Sequence, residues 1–332
     1  MKSARVAVLF TGGTISMTHT GPDGTAIPTL TGDEICSAVP ELDEFNLELH
    51  DVGQLPGPHM SPEICIELAA RVQQVIRDGC DGVVITHGTD TIEETAFLLD
   101  MLHVSAHPVA LVGAMRTQDE LSWDGPVNLF SGCLVAASAA GRNHGVMVVM
   151  NNVIHAASEV VKTYTESLDT FVSPDVGALG FIDRNEVTFY RQPVHRQTLP
   201  PTQRLGRVEI IYASASSDGS LVDAAVRQGF NGLVVAAMGR GNVTPAMAEA
   251  LLYALKSGVH VVVCSRCWAG RVAPVYGYAG GGATLLEAGA IFAPWYNPLK
   301  ARIALSLVLG AHLDMAAMRA FFGGGGPAKP EH

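Results

Sequence analysis

Two threonine-bearing segments stand directly behind short apolar runs. Thr11-Gly12-Gly13-Thr14-Ile15 follows the apolar residues 6–10, and Thr86-His87-Gly88-Thr89-Asp90-Thr91 follows Val83-Val84-Ile85. A threonine hydroxyl attacks a carbonyl carbon only when a neighbouring group takes its proton, so a nucleophile needs a partner. Open α/β sheets bring such partners together, because ligands bind in the crevice outside the carboxyl ends of parallel strands. Two threonines delivered to that edge from separate strands predict a hydrolytic site centred on threonine.

Each candidate also has a plain structural reading. Gly12 and Gly13 permit a sharp turn and a close backbone approach to a ligand, and a βα turn without chemistry uses the same residues. Asp90 is suited to anchoring a cation, and Lys162, in Glu159-Val160-Val161-Lys162-Thr163, is an available base if its surroundings favour the neutral amine. Spacing alone does not single out Lys162 among the lysines. Cys264 and Cys267 form a C-x-x-C without a second Cys or His pair at zinc-like spacing. All six cysteines are scattered through apolar segments and read as reduced thiols. His103 and His107 are four apart but run straight into Pro108, which favours a structural pair over a metal site.

The elements that must position these residues follow from periodicity. Apolar runs at 6–10, 83–85, 109–112 and 146–150 alternate with helix-length segments, the pattern of βα units around a parallel sheet. Thr91-Ile92-Glu93-Glu94 has capping-box form and Ile92, Ala96, Leu99 and His103 share one face, so a helix is predicted to start there. Thr89 and Asp90 then precede a helix N-terminus, where main-chain N–H groups favour negative charge. Residues 191–205, rich in Pro, Gln and Arg, resemble a linker, after which strands at 208–212, 233–236 and 259–264 and a helix at 245–257 form a second series. The expected architecture is α/β: a larger, doubly wound, mainly parallel sheet domain over 1–190, a linker over 191–207, a smaller α/β domain over 208–322 and a flexible tail over 323–332.

Composition narrows the function. A chain of 332 residues, 48% hydrophobic, is long enough for two cores. A formal net charge of -11 argues against nucleic acid as a partner. The five-residue apolar run near the start is too short for a signal segment or a membrane span, so a cytoplasmic protein with no membrane partner is expected. A nucleotide-binding oxidoreductase is disfavoured. Thr11-Gly12-Gly13-Thr14 lacks the G-x-G-x-x-G spacing, and Gly239-Arg240-Gly241-Asn242-Val243-Thr244 lacks the third glycine.

Over nearly its whole length the chain resembles the bacterial-type asparaginases. The resemblance rests on both threonine segments with Glu93-Glu94-Thr95-Ala96, on Val112-Gly113-Ala114-Met115-Arg116, on Asp124-Gly125-Pro126 with Asn128-Leu129, and on Val148-Val149-Met150-Asn151. Lys162-Thr163, Gly239 with Gly241-Asn242, and Asn297-Pro298 with Lys300-Ala301-Arg302 extend it. It implies an amidohydrolase that converts L-asparagine to aspartate and ammonia through an acyl-threonine. Thr14 would be the nucleophile and Thr89, Asp90 and Lys162 the supporting group. Gly13, Gly57, Pro58, Gly88 and Ala114 would meet the small amide substrate, the Ala114 carbonyl holding the scissile amide. The resemblance further implies no metal or other cofactor, and a homodimer or homotetramer in which Asn242 acts across an interface.

Three departures bear on the substrate. Residues 17–27, the lid of the family, contain no tyrosine, which leaves His19, Thr20 and Thr25 as local candidates while Gly21 and Gly24 favour mobility. Leu55-Pro56-Gly57-Pro58-His59-Met60 stands where the family carries a polar pair that grips the amino-acid end. Gly277-Tyr278-Ala279-Gly280-Gly281-Gly282 lacks the acid expected from a neighbouring subunit. A site that loses polar partners selects less sharply. The alternatives are therefore a related ω-amide (D-asparagine, glutamine, succinamate or an N-substituted asparagine) or a catalytically weak amide-binding protein.

Overall fold

Near-continuous runs of Val, Ile and Leu such as Gly82–Thr86 and Val109–Val112 are buried along their full length, as strands covered on both faces must be. The computed structural model describes residues 4–200, 202 and 204–323. The chain divides into two compact units between Thr198 and Leu199, within the 191–207 stretch read as a linker. Residues of that stretch ahead of the division are tied down: Arg191 pairs with Glu159 at 2.6 Å, and Arg196 Nε donates to Asp100 Oδ1 at 2.8 Å. Of the predicted tail, Gly323 closes a helix and residues 324–332 lie outside the described residues.

The first unit runs β1 (Arg5–Gly12), the hairpin β2 (Met17–Thr18) and β3 (Ile27–Pro28), α1 (Gly32–Ser37), β4 (Asn46–Leu55), α2 (Pro62–Arg77), β5 (Gly82–Thr86), α3 (Ile92–Leu102), β6 (Val109–Val112), α4 (Gly125–Ala137) and β7 (Val146–Met150). Then come β8 (Val153–Ala156), β9 (Val161–Lys162), β10 (Phe171–Val172), β11 (Gly180–Asp183) and β12 (Glu186–Phe189). Among the described residues eight of these strands form one sheet, in the order β12-β11-β8-β7-β6-β5-β1-β4. It is parallel from β4 to β7 and antiparallel from β7 to β12. Alternate strand residues Val84, Val112 and Val149 pack with Leu129 and Cys133 of α4, and α2 and α3 also pack on the sheet. Edge strand β4 carries Asn46, Glu48, His50, Asp51 and Gln54. This polarity protects an edge and hides the strand from a search for apolar runs.

Helix α3 departs from its predicted cap. Thr91 occupies the N-cap position without a side-chain cap bond, and its hydroxyl instead donates to Gly57 O at 2.8 Å. The Glu94 N–H that the cap would need instead donates to the Thr91 carbonyl at 3.1 Å, so the capping box read from Thr91 and Glu94 does not form.

The second unit runs β13 (Val208–Tyr212), α5 (Ser220–Arg227), β14 (Gly232–Ala237), α6 (Pro245–Lys256), β15 (His260–Ser265), α7 (Gly282–Glu287), β16 (Ile291–Phe292), α8 (Pro298–Gly310) and α9 (Met315–Gly323). Its strands pair in sequential order and all parallel. Proline opens α6, and Thr244 accepts from Met247 N at 3.2 Å. Cys264 is buried in β15 while Cys267, just beyond it, is exposed, and both are free thiols.

Candidate active site

Strands β1 and β5 lie side by side with Phe10 opposite Thr86. After β1 the chain adds β4 on one flank, and β5 then returns on the other. The sheet therefore reverses its direction of growth between β1 and β5, the position where doubly wound sheets open a ligand crevice. Thr11 Oγ1 donates to Thr86 O at 2.6 Å and locks the two strand ends together.

Past those ends, three main chains touch. A Cβ on Gly13 would lie 2.4 Å from Gly88 N, and one on Gly88 would lie 2.7 Å from both Cα and N of Gly57. No side chain fits between them, and Gly13 also holds φ near +87°, which disfavours any other residue. Thr14 and Thr89 each follow a member of the touching pair. Thr14 is half-buried and Thr89 is buried.

The third wall comes from β6. A Cβ on Gly113 would lie 3.1 Å from Thr89 Cγ2, which sets Gly113 and the buried Ala114 beside Thr89. The main chain flanking Ala114 is fixed from both directions: Asn128 Nδ2 donates to Gly113 O at 3.0 Å, and Met115 N and Arg116 N donate to the Asp124 carboxylate at 3.0 Å. The motif that contains Asp124 and Asn128 is visible in the sequence; their bracing of Ala114 is not.

Lys162 reaches this group from β9. Its Nζ donates to Thr89 Oγ1 at 3.0 Å and to Asp90 Oδ1 at 2.7 Å. The lysine side chain is 13% exposed and that of Asp90 65%, so the ion pair runs from the crevice wall to solvent. Lys162 N donates to Glu93 Oε1 at 3.2 Å, and Glu93 is buried on α3. The same helix thus orders both ends of the Thr89-Lys162 contact.

His87 is fully buried behind the crevice, and its Nδ1 donates to Gly88 O at 2.8 Å. Burial pulls its pKa down to about 4, so the ring is neutral near pH 7. Because the peptide is planar and trans, the carbonyl held by the ring turns Thr89 N–H away from it.

At the substrate-reading turn, Gly57 is buried with its carbonyl engaged by Thr91, while Pro58, which has no N–H, is exposed. Asn242 belongs to the second unit. There its Oδ1 accepts from Gly282 N at 3.2 Å, and its carbonyl accepts from Met238 N at 2.9 Å. Among the described residues no three His, Cys, Asp or Glu side chains cluster closely enough to hold a metal ion.

Residues 5–195 match the family "Asparaginase, N-terminal", and residues 207–322 match "Glutaminase/Asparaginase C-terminal domain". The chain belongs to the asparaginase family. It is 39% identical over 322 residues to a probable L-asparaginase of Deinococcus radiodurans, covering 96% of this chain and 97% of that protein. It is 33% identical over 335 residues to L-asparaginase 2 of Escherichia coli K12, covering 96% and 92%. The crystal structure of a probable cytoplasmic L-asparaginase from Campylobacter jejuni superposes with a TM-score of 0.87 at 35% identity, covering 97% of this chain and 99% of that one.

Against this asparaginase background, the three polar residues named for the tyrosine-free lid all have partners, Thr20 and Thr25 within the hairpin and His19 outside it. Thr20 Oγ1 lies 3.0 Å from Thr18 Oγ1, and Thr25 Oγ1 donates to Pro22 O at 2.9 Å. His19 Nδ1 lies 3.0 Å from Asp119 Oδ1.

Proposed function

We propose that this asparaginase-family chain hydrolyses the side-chain amide of L-asparagine to aspartate and ammonia, with Thr14 as nucleophile. The observation that carries the reading is the convergence of Lys162 Nζ on both Thr89 and Asp90, at 3.0 and 2.7 Å, next to the point where Gly13 and Gly88 touch. Thr14 Oγ1 attacks the amide carbon, and its proton passes through the Thr89 hydroxyl to Lys162, the base of the relay. The C–N bond then breaks, Lys162 returns the proton to the departing nitrogen, and ammonia leaves an acyl-threonine ester. Water attacks the ester by the same relay, releasing aspartate and restoring Thr14. Thr89 N–H, turned away from the His87 ring, is the main-chain donor for the developing oxyanion. Asp90 orients Lys162 in the way the third member of a triad orients its base.

A second reading has its own observation. With the Gly57 carbonyl taken by Thr91 and Pro58 lacking an N–H, the turn offers few groups to the amino-acid end of a substrate. This favours a related ω-amide, such as D-asparagine, glutamine, succinamate or an N-substituted asparagine, over strict selection of L-asparagine. The chain acts as a homodimer or homotetramer with Asn242 serving a neighbour's site; exposed Trp268, Tyr276 and Tyr278 in the second unit support such a contact. A cytoplasmic location accords with six free thiols.

Ammonia release on L-asparagine, D-asparagine, L-glutamine and succinamate, with the Thr14→Ala protein as blank, tests the assignment. A preference for L-asparagine supports the first reading, and activity confined to another amide supports the second. Silence on all four by a folded protein overturns the L-asparagine reading and points to an amide outside the panel or to an amide-binding role.

A further inference from the structure

The hairpin of β2 and β3 leaves the chain three residues after Thr14, and its tip is almost wholly exposed. Inside the hairpin, Thr18 Oγ1 meets Thr20 Oγ1 at 3.0 Å and Thr29 Oγ1 at 2.9 Å, and Gly21 N donates to Thr25 O at 3.0 Å. These bonds give the hairpin a shape of its own but do not attach it to anything. Among the described residues, every hydrogen bond joining residues 19–28 to the body beyond the hairpin passes through His19. His19 N donates to Asp119 Oδ2 at 2.9 Å, its Nδ1 lies 3.0 Å from Asp119 Oδ1, and Thr117 Oγ1 stands 3.3 Å from the same Nδ1.

The receiving side is built rather than incidental. Thr117 Oγ1 donates to Asp119 Oδ1 at 2.7 Å, Thr117 N donates to Glu120 Oε2 at 2.7 Å, and Gln118 N donates to Met17 O at the hairpin's base. This turn continues directly from Ala114-Met115-Arg116, the segment braced by Asp124. The Asp119 pKa lies well below the usual carboxylate range because it accepts from His19 N and from the Thr117 hydroxyl. Asp119 is therefore an acceptor through the whole physiological range.

We propose that His19 and Asp119 form a latch that holds the β2–β3 hairpin closed over the Thr14 site against the Ala114 wall, and that both are positioning residues for substrate retention. The proposal rests on the amidohydrolase reading only for its kinetic consequence; the latch itself is tested without turnover. Both partners are about two-fifths exposed, so the contact is weak enough to open and close during turnover.

The test uses the full-length protein with Asp119→Ala, His19→Ala and Asp119→Asn, and with Thr14→Ala as a catalytic control. Hydrogen exchange of amides in residues 17–28 is the first readout. Asp119→Ala and His19→Ala are expected to speed exchange there at least fivefold while leaving β1 and β5 unchanged, with Asp119→Asn intermediate because it keeps an acceptor for His19 N. Thr14→Ala should leave exchange in the hairpin as it is. In the kinetic readout, the latch variants are expected to raise KM about three- to tenfold with kcat altered less than about threefold, the pattern of lost binding rather than lost chemistry. Unchanged exchange in residues 17–28 overturns the latch, and so does a large fall in kcat at constant KM. Inactivity of the unmodified protein on every amide, with the exchange pattern as expected, would count against the catalytic reading and leave the latch standing.

Discussion

Lys162 and Thr89 are 73 residues apart in sequence, yet the lysine Nζ lies 3.0 Å from the threonine hydroxyl and their contact is half-buried. Removing either end of the relay should cost catalysis and spare the fold. Thr14→Ala and Lys162→Met are each expected to lower kcat by about a thousandfold or more, with unchanged circular dichroism and melting. Asp90→Asn should cost less, about ten- to a hundredfold, since its carboxylate is 65% exposed and acts through Lys162. Near-normal ammonia release from Lys162→Met would remove the relay as drawn.

The contact of Gly13, Gly88 and Gly57 predicts steric sensitivity at a backbone seam. Gly88→Ala places a methyl 2.7 Å from Gly57 Cα and should cost about 1–3 kcal/mol. Gly53→Ala is the control, because its nearest neighbour would be Leu55 Cγ at 3.8 Å; it should stay within about 0.5 kcal/mol of the parent. Thermal melts of the two variants, compared with ammonia release, separate a seam defect from a general effect of adding a methyl.

Acid stability follows from two histidines. Burial pulls His87 and His103 each to about pKa 4, against about 6.5 in an unfolded chain. Between those values the unfolded chain binds more protons than the folded one, so stability rises with pH across the window and is lost as pH falls through it. The melting temperature is expected to drop steadily from pH 7 to pH 4, and His103→Gln should flatten that slope. An equal slope in the variant would assign the acid sensitivity to other groups.

The buried pair of Arg196 with Asp100 has the opposite sign. Asp100 is fully buried, and desolvation pushes its pKa upward despite Arg196 at 2.8 Å and the Val146 N–H at 2.9 Å. Arg196→Met leaves an uncompensated buried carboxylate and should cost about 3–5 kcal/mol near neutral pH. The folded state then holds the Asp100 proton more tightly than the unfolded chain, so part of the loss should return as pH is lowered from 7 toward 5. Urea midpoints at the two pH values measure this directly.

Much of both units was legible because their central strands are uninterrupted apolar runs. The residues 109–112 and 146–150 coincide with β6 and β7, and 208–212 with β13. What escaped was polar or short: β4 with its charged edge, and the two-residue strands of the hairpin, which carry no periodicity. The threonine segments announced a crevice, and family resemblance supplied Lys162, which no spacing rule could connect to a residue 73 positions away. The roles of Glu93, Asp124 and Asp119 were out of reach for a related reason. Each is a carboxylate that serves main-chain N–H groups, and such pairings depend on where loops pass one another.

The seam of three glycines gives the crevice a floor made of peptide groups. A side chain can be exchanged one mutation at a time, but a peptide group can be altered only by moving the strand that carries it. That floor is in this sense inherited with the sheet, and any drift toward bulkier or smaller amides must be written in the side chains around it, at the turn around Pro58 first of all. Libraries aimed at new amides should spare the floor and randomise that perimeter.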